Sequence, residues 1–442
     1  MTTPSPPPPI EDTKLAALRD AARRHLLHYG RDFSDIVVTK ASGARIYDEK
    51  GRAIIDFSSG QMCATLGHNH PAMVAAIERA CGESIHLDST KLSPAVIELA
   101  ESLCALLPPS LQKVQFLSTG GESNEAALRL AKLATGRFEI AAYSNSWHGT
   151  TSGAASSTYN AGRKGYGPPM PGTFMLPAPN AYRCPIRHCR EQCDKTCLDV
   201  GFAQFDTWSV GAGAAVIAEP VQSAGGMVVP PEGYLTRLKD LCRERGMLLI
   251  FDEAQTGLGR IGSNFAFEVE GVVPDILTLS KTLGAGVPLS ALVTSDAIAE
   301  DTRRKNFSFY TSHANDPLPA RVGQAVIGVL VSERLAEVAC AKGQRIREGL
   351  EQLKQRYEMV GDVRGRGMLL GVELVEDRHS RKPALDLIRR ATARALELGL
   401  NVNKAGGEYA VWRIAPPITI DDGDIDRGLE VLDAALRDSD VH

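Results

Sequence analysis

The residues best suited to chemistry stand at the ends of short apolar runs. Ile276-Leu-Thr-Leu279 leads into Ser280 and Lys281, and a glycine-rich turn, Thr282 to Gly286, follows at once. A lysine at the carboxyl end of a strand sits where open α/β sheets bind their ligands. Partly desolvated there, its amine is suited to form a Schiff base with a carbonyl. Most lysines at strand ends do no chemistry, so the reading rests on what else the chain brings to the same place.

Five other segments are candidates. Phe251-Asp252-Glu253 puts a carboxylate directly after an apolar run. A buried Asp needs a cationic or donor partner; a protonated pyridine nitrogen is one such partner, and a helix to cap is the ordinary alternative. Ser118-Thr-Gly-Gly-Glu-Ser-Asn124 has capping-box spacing between Thr119 and Glu122. Its glycines, Gly120 and Gly121, leave backbone N–H groups at the positive end of a helix, either an anion seat or simply a well-capped start. No G-K-[ST] follows, so this is not a Walker loop. Ser146-Trp147-His148-Gly149 offers rings that stack on a flat ligand, or a buried Trp beside a hydrogen-bonded His. Arg413, inside Val411-Trp-Arg-Ile414, wants a carboxylate, from a neighbour or from a substrate. The polar loop Tyr310-Thr-Ser-His-Ala-Asn-Asp316 gathers hydroxyls, amide and carboxylate, and taken alone it reads as an ordinary solvated connection between domains.

The elements that must position these groups are legible from periodicity. Helical spacing runs from about Glu11 to Tyr29, and Ala44 to Phe57 reads as a hairpin around Asp-Glu-Lys-Gly51. His70-Pro71 opens a helix to about Cys81, and another covers Pro94 to Leu106. From there strands and helices alternate, the mark of a parallel sheet covered by helices. Strands are expected at Val114–Leu117, Glu139–Tyr143, Ala214–Ala218, Met247–Phe251, Ile276–Leu279 and Leu289–Val293, with helices at Glu122–Ala134 and Tyr234–Arg245. After Asp316 the pattern changes to one long helix, Pro319 to Tyr357 with a break near Lys342-Gly343, then strands at Gly367–Leu374 and Val411–Ile414. The expected division is an N-terminal helix and hairpin over 1–70, a large domain over 71–318 and a smaller α+β domain over 319–442.

Composition narrows the function classes. The chain has 442 residues, 43% hydrophobic and 23% charged, with net charge -4. Nothing there favours nucleic acid or an anionic membrane, and no apolar run approaches a membrane span. The proline-rich start, Met1 to about Ile10, lacks a signal peptide's basic and apolar regions and reads as a disordered extension. Nine cysteines, an odd number, include Cys63, Cys81, Cys104, Cys242 and Cys340 scattered through regular segments. That favours reduced thiols and a cytoplasmic location. Cys184, Cys189, Cys193 and Cys197 cluster with His188, in a spacing unlike the paired C-x2-C of common zinc sites. A metal, a disulfide and plain reduced thiols in an exposed insertion all fit.

Taken together, Ser118–Asn124, Asp252-Glu-Ala-Gln255, Leu279-Ser-Lys281 and Arg413-Ile-Ala-Pro-Pro417 resemble the class III, fold type I pyridoxal-phosphate aminotransferases, from about Leu26 to Leu436. Within that family the chain is most similar to 2,2-dialkylglycine decarboxylase, through Ser59-Gly-Gln-Met62, Ser146–Gly149, Ala161–Gly165, Asp275–Gly286 and Gly361–Gly367. The resemblance implies an α/β fold with a mostly parallel seven-stranded sheet between helices. It implies pyridoxal 5'-phosphate held by Lys281, Asp252, Gln255, Trp147, Gly120 and Gly121, with His148 beside Trp147. Ser312 would come from a neighbouring subunit, which implies a homodimer sharing its active sites, with a homotetramer also open. An alkali ion, potassium or sodium, is implied at Leu87, Ser89, Ser312, Ala314 and Asp316, with a second sodium near Cys104, Leu107, Pro108 and Leu111. The implied reaction is decarboxylation and transamination of a dialkylglycine such as 2-aminoisobutyrate, with the amine passed to a keto acid such as pyruvate. Gln61 would hold the carboxylate to be lost and Arg413 a carboxylate nearer the ring plane. Plain transamination without decarboxylation is the alternative, and a catalytically silent cofactor-binding protein a further one. Ala224, where the subgroup has a second serine, and the cysteine-bearing insertion are departures from the pattern.

Overall fold

Seven strands, lying between Lys113 and Thr294, form the central sheet of the computed structural model, which describes residues 6–30, 33–160, 165, 167–186 and 193–439. Across the sheet the order is Lys113–Leu117, Ser290–Thr294, Ile276–Leu279, Leu248–Asp252, Gly213–Ala218, Glu139–Tyr143 and Thr173–Leu176. Ser290–Thr294 runs antiparallel to both its neighbours, and all other pairings are parallel. Helices cover both faces, so the inner strands are buried along their whole length and read as unbroken apolar runs. The expected strands agree with these to within a residue at each end. Thr173–Leu176 was not expected: it is a four-residue edge strand after a Pro/Gly-rich stretch, with Met175 57% exposed, too short for a periodic signal.

The expected helix over Pro319–Tyr357 is two helices, Pro317–Ser332 and Leu335–Arg356. The break falls at Glu333-Arg334, where Arg334 takes a left-handed φ of 50°, and not at Lys342-Gly343. Gly343 has a packing role instead. A Cβ there would stand 2.2 Å from the Gly367 carbonyl oxygen, so the glycine lets the helix lie directly on that turn. The expected strand at 367–374 is the second arm of a hairpin, Val360–Arg366 with Leu369–Leu374. This hairpin continues through Val411–Ile414 to Asn403–Ala405 as a four-stranded sheet.

At the other end of the chain, Arg45–Tyr47 and Ala53–Asp56 form the expected hairpin, and Ala53–Asp56 pairs in parallel with Leu400–Asn401. The extension is docked by its last residue: Ile10 N–H donates to the Glu49 carbonyl at 2.7 Å. Met1–Ser5 lie outside the described residues, as do Ala161–Lys164 of the resemblance and Cys189 and His188 of the insertion. Among the described residues no helix is long and apolar enough to cross a membrane.

Candidate active site

Lys281 opens a single turn of 3-10 helix, Lys281–Leu283, directly beyond Ile276–Leu279. Its φ of 47° is unusual for a side chain with a Cβ, and such strain collects at functional sites. The turn is locked by Gly284, whose Cβ would lie 2.0 Å from the Val287 carbonyl oxygen, and by bonds from the Gly284 and Ala285 N–H groups to the Lys281 carbonyl.

On the next strand Asp252 is buried, and its carboxylate is fully engaged. Oδ2 accepts from Asn124 Nδ2 at 2.7 Å and lies 2.9 Å from His148 Nδ1, while Oδ1 accepts from Ala254 N–H at 3.1 Å. Burial pushes this carboxyl up, but the His148 hydrogen bond and the nearby Lys281 cation outweigh it and hold the group below its ordinary value. An ionised Asp therefore sits at the floor of the site. Asn124 is fixed in turn by the His148 carbonyl and by Thr278 Oγ1.

Gly120 and Gly121 begin the helix Gly120–Thr135, whose capping box between Thr119 and Glu122 is formed. A Cβ on Gly120 would meet Ser280 Oγ at 2.8 Å, and one on Gly149 would come within 2.6 Å of Gly121 Cα. The loop of Trp147 and His148 thus rests on the glycine turn, backbone to backbone. Trp147 is 37% exposed, and its N–H donates to Glu219 Oε1 at 2.9 Å. Lys281, Asp252, Gly120, Gly121, Trp147 and His148 line one recess of about 360 Å³. Pyridoxal phosphate fits what lines it: a helix start at Gly120-Gly121 packed closely against Ser280 and Gly149, an ionised carboxylate for a ring nitrogen, a part-exposed aromatic ring and an amine. His148 Nε2 is buried and has no hydrogen-bond partner among the described residues.

The remaining expected residues do not line this recess. Gln255 accepts from Ser223 Oγ at 2.8 Å and from Arg413 Nη1 at 3.4 Å, so it joins the large sheet to Val411–Ile414. Gln61 lies in the Ser59–Met62 turn, exposed, between Gly60 and Met62 at positive φ. Ser312 is exposed on the Tyr310–Asp316 loop. Of the expected alkali-ion residues, Leu87 and Ser89 are half-buried and Ala314 and Asp316 buried. Each oxygen of Asp316 holds an imidazole nitrogen, from His86 and from His313, at 2.6 Å. At the second expected sodium position the Cys104 and Pro108 carbonyls both accept from the Gln112 side-chain amide.

Two residues beside the site, Arg260 and Asp56, had no functional reading from the sequence, and Cys63 was read only as a reduced thiol. Arg260 is wholly buried, with no carboxylate partner among the described residues; burial and the Arg413 charge bring it down to about 9. It donates to the Pro416 carbonyl and to Thr65 Oγ1, so one guanidinium braces the Gln61 turn against the chain beside Arg413. Asp56, buried, caps the same turn through Ser58 N–H and Gly60 N–H and pairs with His68 Nε2 at 2.8 Å. Cys63 lines the recess. The spacing Gly257-Leu-Gly-Arg260 was the one available signal. Of the insertion, Cys184, Cys193 and Cys197 are not joined to one another by a disulfide. Burial and the other two thiols push Cys197 up to about 11.

A family model, Aminotransferase class-III, matches residues 28–436. The chain belongs to the class III aminotransferases. It is 47% identical over 418 residues to an uncharacterised aminotransferase of Schizosaccharomyces pombe, covering 94% of this chain and 93% of that one. It is 36% identical over 411 residues to a leucine/methionine racemase of Thermococcus litoralis, covering 92% and 91%. The crystal structure of an (S)-enantioselective omega-transaminase from Thermomicrobium roseum matches with a TM-score of 0.90 at 31% identity, covering 96% of this chain and 99% of that one. The fold is that of the fold type I transaminases, and the class uses pyridoxal phosphate.

Proposed function

We propose that this protein moves the amino group of an amino acid to a keto acid, with pyridoxal phosphate seated in the recess and joined to Lys281. The observation that carries this reading is the convergence of Lys281, ionised Asp252 and the Gly120-Gly121 cradle on one cavity. Pyridoxal phosphate bound there supplies a carbonyl for amines and a protonated ring that takes up electron density. Asp252 keeps the proton on the ring nitrogen through its own charge. Gly120 and Gly121 N–H groups receive the phosphate at the positive helix end. Trp147, on the wall of the recess, would offer its ring to a flat cofactor, and the Lys281 amine would serve there as the group that takes up and returns a proton. Arg413 binds a substrate carboxylate as a planar two-donor fork, with Gln255 at its back. Ser312, exposed, serves a second copy of the chain, which makes the working unit a homodimer.

A more specific reading is that an α,α-dialkyl substrate loses its carboxylate before the amine is transferred. Gln61 favours it, as an amide donor on a turn braced by Asp56 and Arg260. The test is one incubation with pyruvate, supplying in turn 2-aminoisobutyrate and an ordinary α-hydrogen amino acid. Alanine from the α-hydrogen donor, with no gas from 2-aminoisobutyrate, supports plain transamination. Carbon dioxide, acetone and alanine together select the decarboxylating reading. Chiral analysis of the recovered donor registers racemisation. No alanine from any donor sinks both readings.

A further inference from the structure

Away from the cofactor recess, two imidazoles converge on one buried carboxylate. His86 Nδ1 lies 2.6 Å from Asp316 Oδ1, and His313 Nδ1 lies 2.6 Å from Asp316 Oδ2. The ligand atoms of all three lie within 4.8 Å of one another, and the two rings are tilted, with centroids 5.2 Å apart. The residues come from two loops that the chain fastens together. Leu318 N–H donates to the Ile85 carbonyl, and Asn315 holds Phe116 through both its backbone N–H and its side-chain oxygen.

The imidazoles are half or more exposed, at 50% and 66%, while Asp316 is 8% exposed. Ion pairs with so exposed a partner add little stability, so fold stability alone does not account for two histidines on one carboxylate. Two imidazole nitrogens and a carboxylate, with one side open in the single chain, are a ligand set for zinc and its neighbours: three protein ligands and a free position. An alkali ion calls for an all-oxygen shell, whereas here both carboxylate oxygens face nitrogen.

We propose that His86, His313 and Asp316 bind a divalent transition-metal ion, zinc above all, tying the loop of Leu87 and Ser89 to the loop that carries Ser312. The inference is independent of the reaction proposed above.

The test uses tag-free holoenzyme stripped of metal, with Cys184, Cys189, Cys193 and Cys197 changed to Ser so that thiols do not compete. Equilibrium dialysis against zinc in a potassium buffer, read by elemental analysis, should give one zinc per chain. His86→Gln and His313→Gln should each weaken it by at least about 100-fold, the upper end of what losing a mere outer-shell partner costs. Zinc should raise Tm in the parent and not in these variants. Cofactor absorbance and circular dichroism check that the variants fold. X-ray absorption on the zinc-loaded parent reads the shell without any histidine change, and two nitrogens at about 2.0–2.1 Å support the site. An unchanged zinc affinity in both variants overturns the proposal. So does an oxygen-only shell, or stabilisation by potassium with no zinc bound.

Discussion

His148 Nδ1 stands 2.9 Å from Asp252 Oδ2, with both side chains withdrawn from water. Asn124 donates to the same oxygen, so the carboxylate cannot rotate away from its ligand. This arrangement keeps Asp252 ionised at the floor of the recess despite full burial. Asp252→Asn preserves the shape and removes the charge. Turnover should fall by about 100- to 1,000-fold, the effect of losing one preorganised electrostatic group. Cofactor affinity should fall with it. Because the folded-state value lies below the ordinary 3.8, the stability this group adds is present above that pH and is lost as pH falls through the lower folded value. Wild type and variant should therefore converge in acid, read by denaturation at several pH values. A constant gap down to the acid limit would contradict the charge argument.

Lys281→Ala should abolish amine transfer to every acceptor while leaving the protein folded. Borohydride reduction of wild type should add the mass of the cofactor at Lys281, and reduction of the variant should add nothing. Transfer at the wild-type rate in the variant would remove Lys281 from the reaction.

Gly120 allows the phosphate seat to sit against Ser280. Gly120→Ala puts a methyl group 2.8 Å from Ser280 Oγ. Overpacking of this kind costs about 1–3 kcal/mol, so cofactor binding should weaken about 5- to 150-fold in a fluorescence titration. Adding Ser280→Ala removes the obstructing oxygen and should restore much of the loss. Failure of the double variant to recover would mean that the cradle is not steric.

Much of this site could be read before any fold was known, because each key residue follows an apolar run in the sequence. Lys281, Asp252 and Gly120 declare themselves by what precedes or follows them. Arg260 does not. Its partners, Thr65 and Pro416, are far away in the chain, and no local pattern marks an arginine that will be wholly buried. Gly343 misled for the same reason: its neighbour is the Gly367 turn, and a helix glycine that admits a distant backbone looks like one that breaks the helix. The insertion's first residues were silent until Arg183 could be seen against Glu373. Nor does any local pattern mark the Ser59–Met62 turn, whose brace is the Asp56 carboxylate.

Arg183 fastens the start of the cysteine-bearing insertion to the sheet of Val360–Arg366 and Leu369–Leu374. Its Nε donates to Glu373 Oε1 at 2.6 Å, and its guanidinium lies 4.6 Å from the Tyr409 ring centre. Glu373 is fully buried and also meets Arg364 at 2.6 Å. Arg183→Ala leaves that charge half-compensated. The first unfolding transition in urea should lose about 3 kcal/mol, the low end for breaking a buried pair. Proteolysis within the insertion should quicken, and an unchanged midpoint would show that Arg364 alone suffices.

Glu219 gives the last test, because it holds Trp147 through a backbone bond and burial raises its carboxyl to about 7. The His148 side chain opposes that shift, and the Asp252 charge adds to it. A carboxyl raised on folding adds stability that is complete below its ordinary 4.5 and is lost as pH rises through its folded value. Wild type should therefore lose about 3 kcal/mol relative to Glu219→Gln between pH 4.5 and 7, from roughly 2.5 units at 1.36 kcal/mol each. The variant also lacks one acceptor for Ser223 N–H, a constant penalty that leaves the slope untouched. The measurement is the difference in unfolding free energy across that range. A flat difference means that Glu219 stays ionised, held by its two backbone donors.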